Sequence, residues 1–270
     1  MRVEEELILE ELRGKGLNPV IVSSSRLLRI PEPDLKESLI LVRNISAYNS
    51  IYVAAIVEAS GGMTINNLKS LIIGHDKILS YSTLLKAGLK IPKTAIALDG
   101  VDLEDLISKI DYPHIDKPPI GSWGRLVSLI ENPRVLEQVY NYRKLMGTPQ
   151  LRIHLIQKPA KLGQDLRCLV VGEEVVACME RIGPQGDWRS NAALGGHVKA
   201  YKPPQEVEEL SIKASLTIEA EIAGVDIVYD EENYYVNEVN VVPEFKALIK
   251  ATNINIAERI VDYVVKKMKS

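Results

Sequence analysis

The chain has 270 residues, 46% of them hydrophobic, with 33 basic side chains against 36 acidic ones for a net charge of −3. That length sustains two modest domains or one large one, and the balanced charge, without a basic stripe of interleaved aromatics, excludes nucleic-acid binding through bulk charge. The longest apolar runs fall far short of a bilayer span, and Met1-Arg2 runs at once into Glu4, Glu5 and Glu6; no signal peptide and no membrane segment are expected, and the compartment is expected to be cytoplasmic.

In chain order, residues 3–13 read as an amphipathic helix with Leu7, Ile8 and Leu12 on one face and Gly14 or Gly16 as its stop. Residues 18–22 and 39–43 read as strands. Ser50 is the expected cap of a helix ending at Gly61-Gly62, and 63–65 is a short strand. This β/α alternation implies a small parallel sheet, although such a unit normally opens on a strand and this chain opens on a helix. A second unit starts near residue 75, with Asp76 capping a helix closed by Gly88, a strand at 94–98 and a helix at about 102–110.

Residues 114–117 form a strand ending in Lys117, and Pro118-Pro119 stop it. Gly121 and Gly124 bracket Ser122-Trp123, and Arg125 leads into the apolar run 126–130. Glycines let backbone N–H groups approach a bulky anion, and the two flanking cations add charge, so the loop reads as a lid over nucleotide phosphates. The same spacing also suits a plain hairpin with a glycine-rich turn. Pro133 starts a helix through residue 145, and 153–157 is a strand broken by Lys158-Pro159.

In the last third, 166–171 and 175–181 are strands of a hairpin, 183–196 is an irregular loop, and 205–223 reads as one long helix. Strands 225–229 and 234–239 form a second hairpin, and 253–268 is an amphipathic helix. Cys168 and Cys178 flank the first hairpin without a histidine pair at metal spacing. Buried reduced thiols are expected there ahead of a disulfide or a metal site. Glu238 and Asn240, two apart, share one strand face, and Asp226 can come alongside across the hairpin. Three hard oxygen donors in apolar sequence suit Mg2+, with a solvated strand face as the alternative. Lys77, Lys117, Arg167 and Arg181 sit at element ends where charge could converge on phosphates. No P-loop, nucleophile elbow or zinc motif occurs.

Taken together, Asp76-Lys77, Lys117 with loop 121–125, Asp165-Leu166-Arg167, residues 191–196, and Asn237-Glu238-Val239-Asn240 followed by Glu244-Phe245-Lys246 resemble the ATP-grasp ligases. The nearest group is LysX/ArgX, whose members join an amino acid to the C-terminal glutamate of the small acidic carrier protein LysW, with RimK-type glutamate ligases more distant. The resemblance implies an ATP-grasp fold, α/β and α+β. Residues 1–74 would be a small parallel α/β domain lacking its first strand. Residues 75–157 would be the central lid domain and 158–270 the catalytic domain.

The resemblance also implies ATP and Mg2+ as cofactors and glutamate or α-aminoadipate with the LysW-type carrier as partners, in a homo-oligomer (dimer or tetramer). It makes Lys77, Lys117, Gly121, Ser122, Trp123, Gly124, Arg125, Leu126, Gln157, Lys158 and Arg167 the ATP-binding set, and Asp226, Glu238 and Asn240 the metal ligands. Arg181 would stabilise the tetrahedral intermediate. Arg181, Asn191, Ala192, Ala193, Glu244, Phe245, Lys246, Ala247 and Leu248 would line the amino-acid site. Three departures stand out: the missing first strand, a hinge reading Gln157-Lys158-Pro159 where the family has Gln-Glu, and Ala247-Leu248, which matches neither substrate branch. Residues 193–196 and 242–244 lean to the glutamate branch.

Overall fold

The computed structural model describes residues 2–25, 28–121, 124–184, 187–189 and 196–269. Helix α1 (Val3–Gly14) packs through Ile8 into a core shared with the C-terminal helix α9 (Ile256–Lys267). Strands β1 (Leu39–Leu41) and β2 (Met63–Ile65) pair in parallel. Between them runs α2 (Ala47–Ala59), and α3 (Leu68–His75) and α4 (Lys77–Lys86) follow. Asp76 ends α3 and caps α4, its carboxylate accepting from the Ile78 and Leu79 N–H groups.

The central sheet runs in the order β3 (Thr94–Ala97), β6 (His154–Gln157), β4 (His114–Lys117), β5 (Ser128–Ile130), all neighbours antiparallel. Helices α5 (Leu103–Lys109) and α6 (Pro133–Lys144) cover one face through Leu106 and Leu136. The third sheet, also antiparallel, has the order β11 (Tyr234–Asn240), β10 (Ile222–Tyr229), β7 (Gln164–Val171), β8 (Glu174–Ile182), β9 (His197–Ala200).

Side-chain alternation decides how this third sheet is used. Leu166, Cys168, Val170, Val225 and Ile227 face one way, into a core with α7 (Gln205–Thr217) and Leu71 and Leu84 of α3 and α4. Leu169, Val171, Met179 and Ile222 face the other way, against α9 and α8 (Lys246–Thr252). On that second face the strands turn charged at Asp165, Arg167, Arg181 and Asp226. The sheet therefore carries apolar anchors and site residues on the same surface.

Several expectations are corrected. Residues 18–22 form no strand: Val20 and Ile21 are 84% and 62% exposed and find no pairing partner among the described residues. The α2 cap is Ser46, whose Oγ accepts from Asn49 N–H at 3.3 Å, while Ser50 sits a turn inside and donates to Ala47 O. Helix α7 stops at Thr217, because Glu219 adopts φ +59° and the Glu219 and Ala220 N–H groups fold back onto Leu216 O and Ser215 O. Cys168 and Cys178 are not free thiols. The β7–β8 register sets them directly opposite, with Cα atoms 4.1 Å apart, and they form a disulfide buried in the core.

Candidate active site

A cleft of about 1080 Å³ lies between the three sheets, lined from the N-terminal part by Arg2, Asn44 and His75, from the central sheet by Lys117 and Gln157, and from the third sheet by Asp226 and Glu238. Lys117, at the end of β4, is its most elaborately held cation. Its Nζ donates to Tyr81 Oη at 2.9 Å, Gln157 Oε1 at 2.9 Å and Asn237 Oδ1 at 3.1 Å. Three neutral oxygens thus take the three ammonium donors. Burial pulls Lys117 down to about 8, against the opposing pull of Glu238 and Asp226.

Strand alternation sends the preceding residue, Asp116, to the opposite face, where it is wholly buried and accepts from Arg143 Nη1 at 2.5 Å and from His154 Nδ1 at 3.0 Å. The strand bearing Lys117 is therefore fastened on both sides. Tyr81, one helical turn beyond Lys77 on α4, also donates to Asn237 O at 2.7 Å.

Lys77 starts α4. Its N–H donates to Pro119 O at 2.9 Å and its Nζ to Gly121 O at 2.9 Å, with Glu238 Oε1 at 3.3 Å. It thus joins the glycine loop to the acidic hairpin. Gly124 takes the left-handed φ of +68°, as does Leu126 at +59°. Gly121, Gly124 and Arg125 line the cleft, whereas Leu126 does not. Ser122 and Trp123 lie outside the described residues, as do Asn191, Ala192 and Ala193.

The acidic hairpin contains a β-bulge. Asp226 pairs with Glu238 and Ile227 with Val236, so Asn237 is the extra residue. The bulge lets Asn237 reach Lys117 while its neighbour Glu238 still stands opposite Asp226. Asp226 accepts a forked pair from Arg167, with Arg167 Nη2 at 2.9 Å, and Arg181 Nη2 lies 3.0 Å from it. Burial would raise the Asp226 carboxyl, but the two guanidiniums outweigh it and hold it below the usual range. Arg181 also forks onto Asp165, its Nε 2.7 Å from Oδ1. Burial opposes that charge, yet Asp165 and Asp226 keep Arg181 firmly protonated.

Asp226, Glu238 and Asn240 are thus brought to one surface. Asn240 Nδ2 donates to Gly224 O at 3.2 Å, which leaves Oδ1 as its acceptor. The donor chemistry suits a hard divalent cation, provided Arg167 yields its fork on Asp226. At the hinge the Gln157 side chain is turned inward, bonded to Lys117, Tyr81 and Thr94. The Lys158 N–H is committed to Lys93 O at 2.8 Å. Lys158, Pro159 and Ala160 line the cleft.

Segment 244–248 splits in two. Glu244, Lys246 and Ala247 line the cleft, while Phe245 and Leu248 are fully buried in the core behind it. Sequence reasoning did not single out Tyr81, Asn237, His75 or Asp165 as site residues. His75 lines the cleft with Nε2 2.8 Å from Ser50 Oγ, and burial pulls it to about 4, against Glu238, so its ring is neutral. The i to i+4 spacing of Lys77 and Tyr81 was an available signal, and Asp165 and Asn237 lay within quoted motifs without a role of their own; the bulge that aims Asn237 has no sequence signal.

The chain is similar to known proteins along nearly its whole length. Residues 74–264 match the RimK-like ATP-grasp domain. The chain is 37% identical over 270 residues to the glutamate–LysW ligase ArgX of Sulfurisphaera tokodaii, covering 98% of this chain and 95% of that one. It is 29% identical over 276 residues to the α-aminoadipate–LysW ligase LysX of the same organism, covering 100% and 95%. Among solved structures it is similar to the RimK domain ATP-grasp protein of Sphaerobacter thermophilus, with a TM-score of 0.79 at 21% identity over 97% of this chain and 96% of that one. A cleft walled by lysines, forked arginines and a carboxylate pair, in a chain matched over nearly its whole length, belongs to the RimK-like ATP-grasp family.

Proposed function

We propose that this protein is an ATP-dependent carboxylate–amine ligase that joins the amino group of glutamate to the C-terminal glutamate carboxylate of a LysW-type carrier. The observation that carries the reading is the convergence of Lys77, Lys117, Arg167 and Arg181 on one cleft with Asp226 and Glu238. The full-length similarity to a glutamate–LysW ligase supports the choice of substrates.

The chemistry needs no protein nucleophile. A carrier carboxylate oxygen attacks the γ-phosphorus of ATP, the bond to the β-γ bridging oxygen breaks, and ADP leaves. The glutamate amine then attacks the acyl-phosphate carbonyl, the C–O bond to phosphate breaks, and the amine loses its proton to solvent. Catalysis is positioning and charge neutralisation. Lys77, and Lys117 once one of its three acceptors gives way, would meet phosphate oxygens from the two sides of the glycine loop. Asp226, Glu238 and Asn240 would hold Mg2+, which screens the negative charge of the phosphates as they approach the carboxylate.

Arg181 has one guanidinium nitrogen, Nη1, not engaged within the described residues. That arm would meet the oxyanion of the tetrahedral intermediate, with Asp165 and Asp226 fixing its plane. At the hinge, the commitment of the Lys158 N–H leaves Ala160 N–H and Lys158 O as the backbone groups for adenine.

A second reading is the same reaction with α-aminoadipate. Of the two departing residues only Ala247 reaches the cleft, and a single methylene alters binding by only about 1–3 kcal/mol. A nucleotide-binding protein without ligase activity is the rival of another class. The test is ADP formation by the full chain with ATP, magnesium ion, carrier and each amino acid. A ligase makes ADP only when acceptor and amino acid are both present. ADP formation that ignores the amino acid, or none under any combination, would overturn the reading.

A further inference from the structure

Segment 243–247 meets the cleft between two buried anchors, Pro243 and Phe245. Both are held by Arg43, which follows β1 at the far end of the sequence. Arg43 Nη1 donates to Pro243 O at 2.9 Å, and its guanidinium carbon lies 5.7 Å from the Phe245 ring centroid. Its Nε donates to Glu5 Oε1 at 3.1 Å. Glu5 is gripped in turn by Arg2, whose Nη2 lies 2.6 Å from Oε1 and whose Nε lies 2.9 Å from Oε2.

Arg2 spans the same gap, with Nη2 3.1 Å from Arg43 O and Nη1 3.4 Å from Glu244 Oε1. Glu4 Oε1 accepts from the Lys246 N–H at 3.4 Å. The start of α1 and Arg43 thus clamp the stretch that carries both Glu244 and Ala247 into the cleft.

Among the described residues Arg43 Nη2 is buried with no hydrogen-bond partner, as is Arg152 Nε. What distinguishes Arg43 is where its Nη1 points: to the carbonyl of Pro243, at the head of the segment whose cleft-facing Ala247 departs from both substrate branches.

We propose that Arg43 is a positioning residue that sets the amino-acid selectivity of the cleft by fixing the height of segment 243–247. The proposal rests on the ligase reading above. The Nη1 bond to Pro243 O and the contact with Phe245 hold the backbone from behind, and Glu5 and Arg2 fix the plane of the guanidinium. Ala247 then stands at one distance from the bound amino acid, and a chain longer by one methylene meets a wall that cannot retreat.

The test is steady-state kinetics of the full chain with carrier, ATP and magnesium ion, comparing wild type with Arg43→Lys and Glu5→Gln. Arg43→Lys keeps the charge but cannot hold Pro243 O and Glu5 at once. It should raise KM for the amino acid by about tenfold and shift the glutamate to α-aminoadipate ratio of kcat/KM, with KM for ATP unchanged within about twofold. Glu5→Gln keeps the shape and should move both quantities in the same direction by less.

An unchanged amino-acid KM and ratio in a folded Arg43→Lys protein would overturn the proposal, as would equal losses for ATP and amino acid. Should Arg43→Lys not fold, Glu5→Gln decides by the same readings. A wild type that makes no ADP with either amino acid instead refutes the ligase reading, and the proposal falls with it.

Discussion

Replacing Lys117 with Met separates the two costs carried by one buried cation. Burial brings the ammonium from an ordinary 10.5 to about 8, a penalty of about 3 kcal/mol on the charged form. Met removes that penalty and strands three acceptors, Tyr81 Oη, Gln157 Oε1 and Asn237 Oδ1, each worth about 1 kcal/mol. The terms nearly cancel, so Lys117→Met should melt within a few degrees of wild type. Its ATP affinity should nevertheless fall by about tenfold to a hundredfold, because a charge-assisted phosphate contact is gone.

The pH dependences run in opposite directions. Below pH 8 folded and unfolded chains both hold the proton and the full penalty applies. Between pH 8 and 10.5 the unfolded chain binds more protons, so wild type gains stability over the variant as pH rises. ATP binding needs the cation, so kcat/KM for ATP in wild type should fall above about pH 8 and that of the variant should be flat there. Thermal melts and initial rates across pH 6.5 to about 10 measure both. A variant that loses well over ten degrees, or a wild-type profile without the alkaline fall, would refute the reasoning.

Other perturbations have equally direct readings. A Cβ on Gly224 would lie 2.8 Å from Arg167 Nη1 and 3.1 Å from Pro243 Cβ, so Gly224→Ala should push Arg167 from Asp226. We expect a loss of about 1–3 kcal/mol in stability by denaturant melt, and a melt unchanged from wild type would contradict the crowding. Replacing Cys168 and Cys178 together with Ala should cost about 2–3 kcal/mol in the same melt, since the closed loop is short, while leaving KM for ATP unchanged. His75 is neutral down to about pH 4, so the rate profiles of wild type and His75→Gln should have the same shape between pH 5 and 7. A difference in shape there would show that the ring takes up a proton in the working pH range.

The order of elements was largely legible, because α9 and the strands of the third sheet show their periods plainly in the sequence. Where reading failed, the missing information was tertiary. Residues 18–22 have strand composition, yet a strand needs a partner and the described residues offer them none. Helix α7 looked longer than it is because its αL stop is Glu219 rather than glycine. The sequence shows that Cys168 and Cys178 are ten apart; only the hairpin register shows them opposite.

Within the site, Asp226 and Glu238 were visible as carboxylates in apolar sequence, and Lys77 and Lys117 as cations at element ends. The partners of Lys117 were not, since Asn237 is aimed by a bulge and Gln157 by its inward turn. The resemblance put Phe245 and Leu248 in the amino-acid site, while both are fully buried in the core behind the cleft wall.

The most direct test of the central claim is the mass of the carrier after incubation with this protein, ATP, magnesium ion and glutamate. The carrier should become heavier by one glutamyl residue, attached at its C-terminal glutamate, with one ADP formed per residue added. A carrier of unchanged mass while ADP accumulates, or a residue attached elsewhere on the carrier, would contradict it.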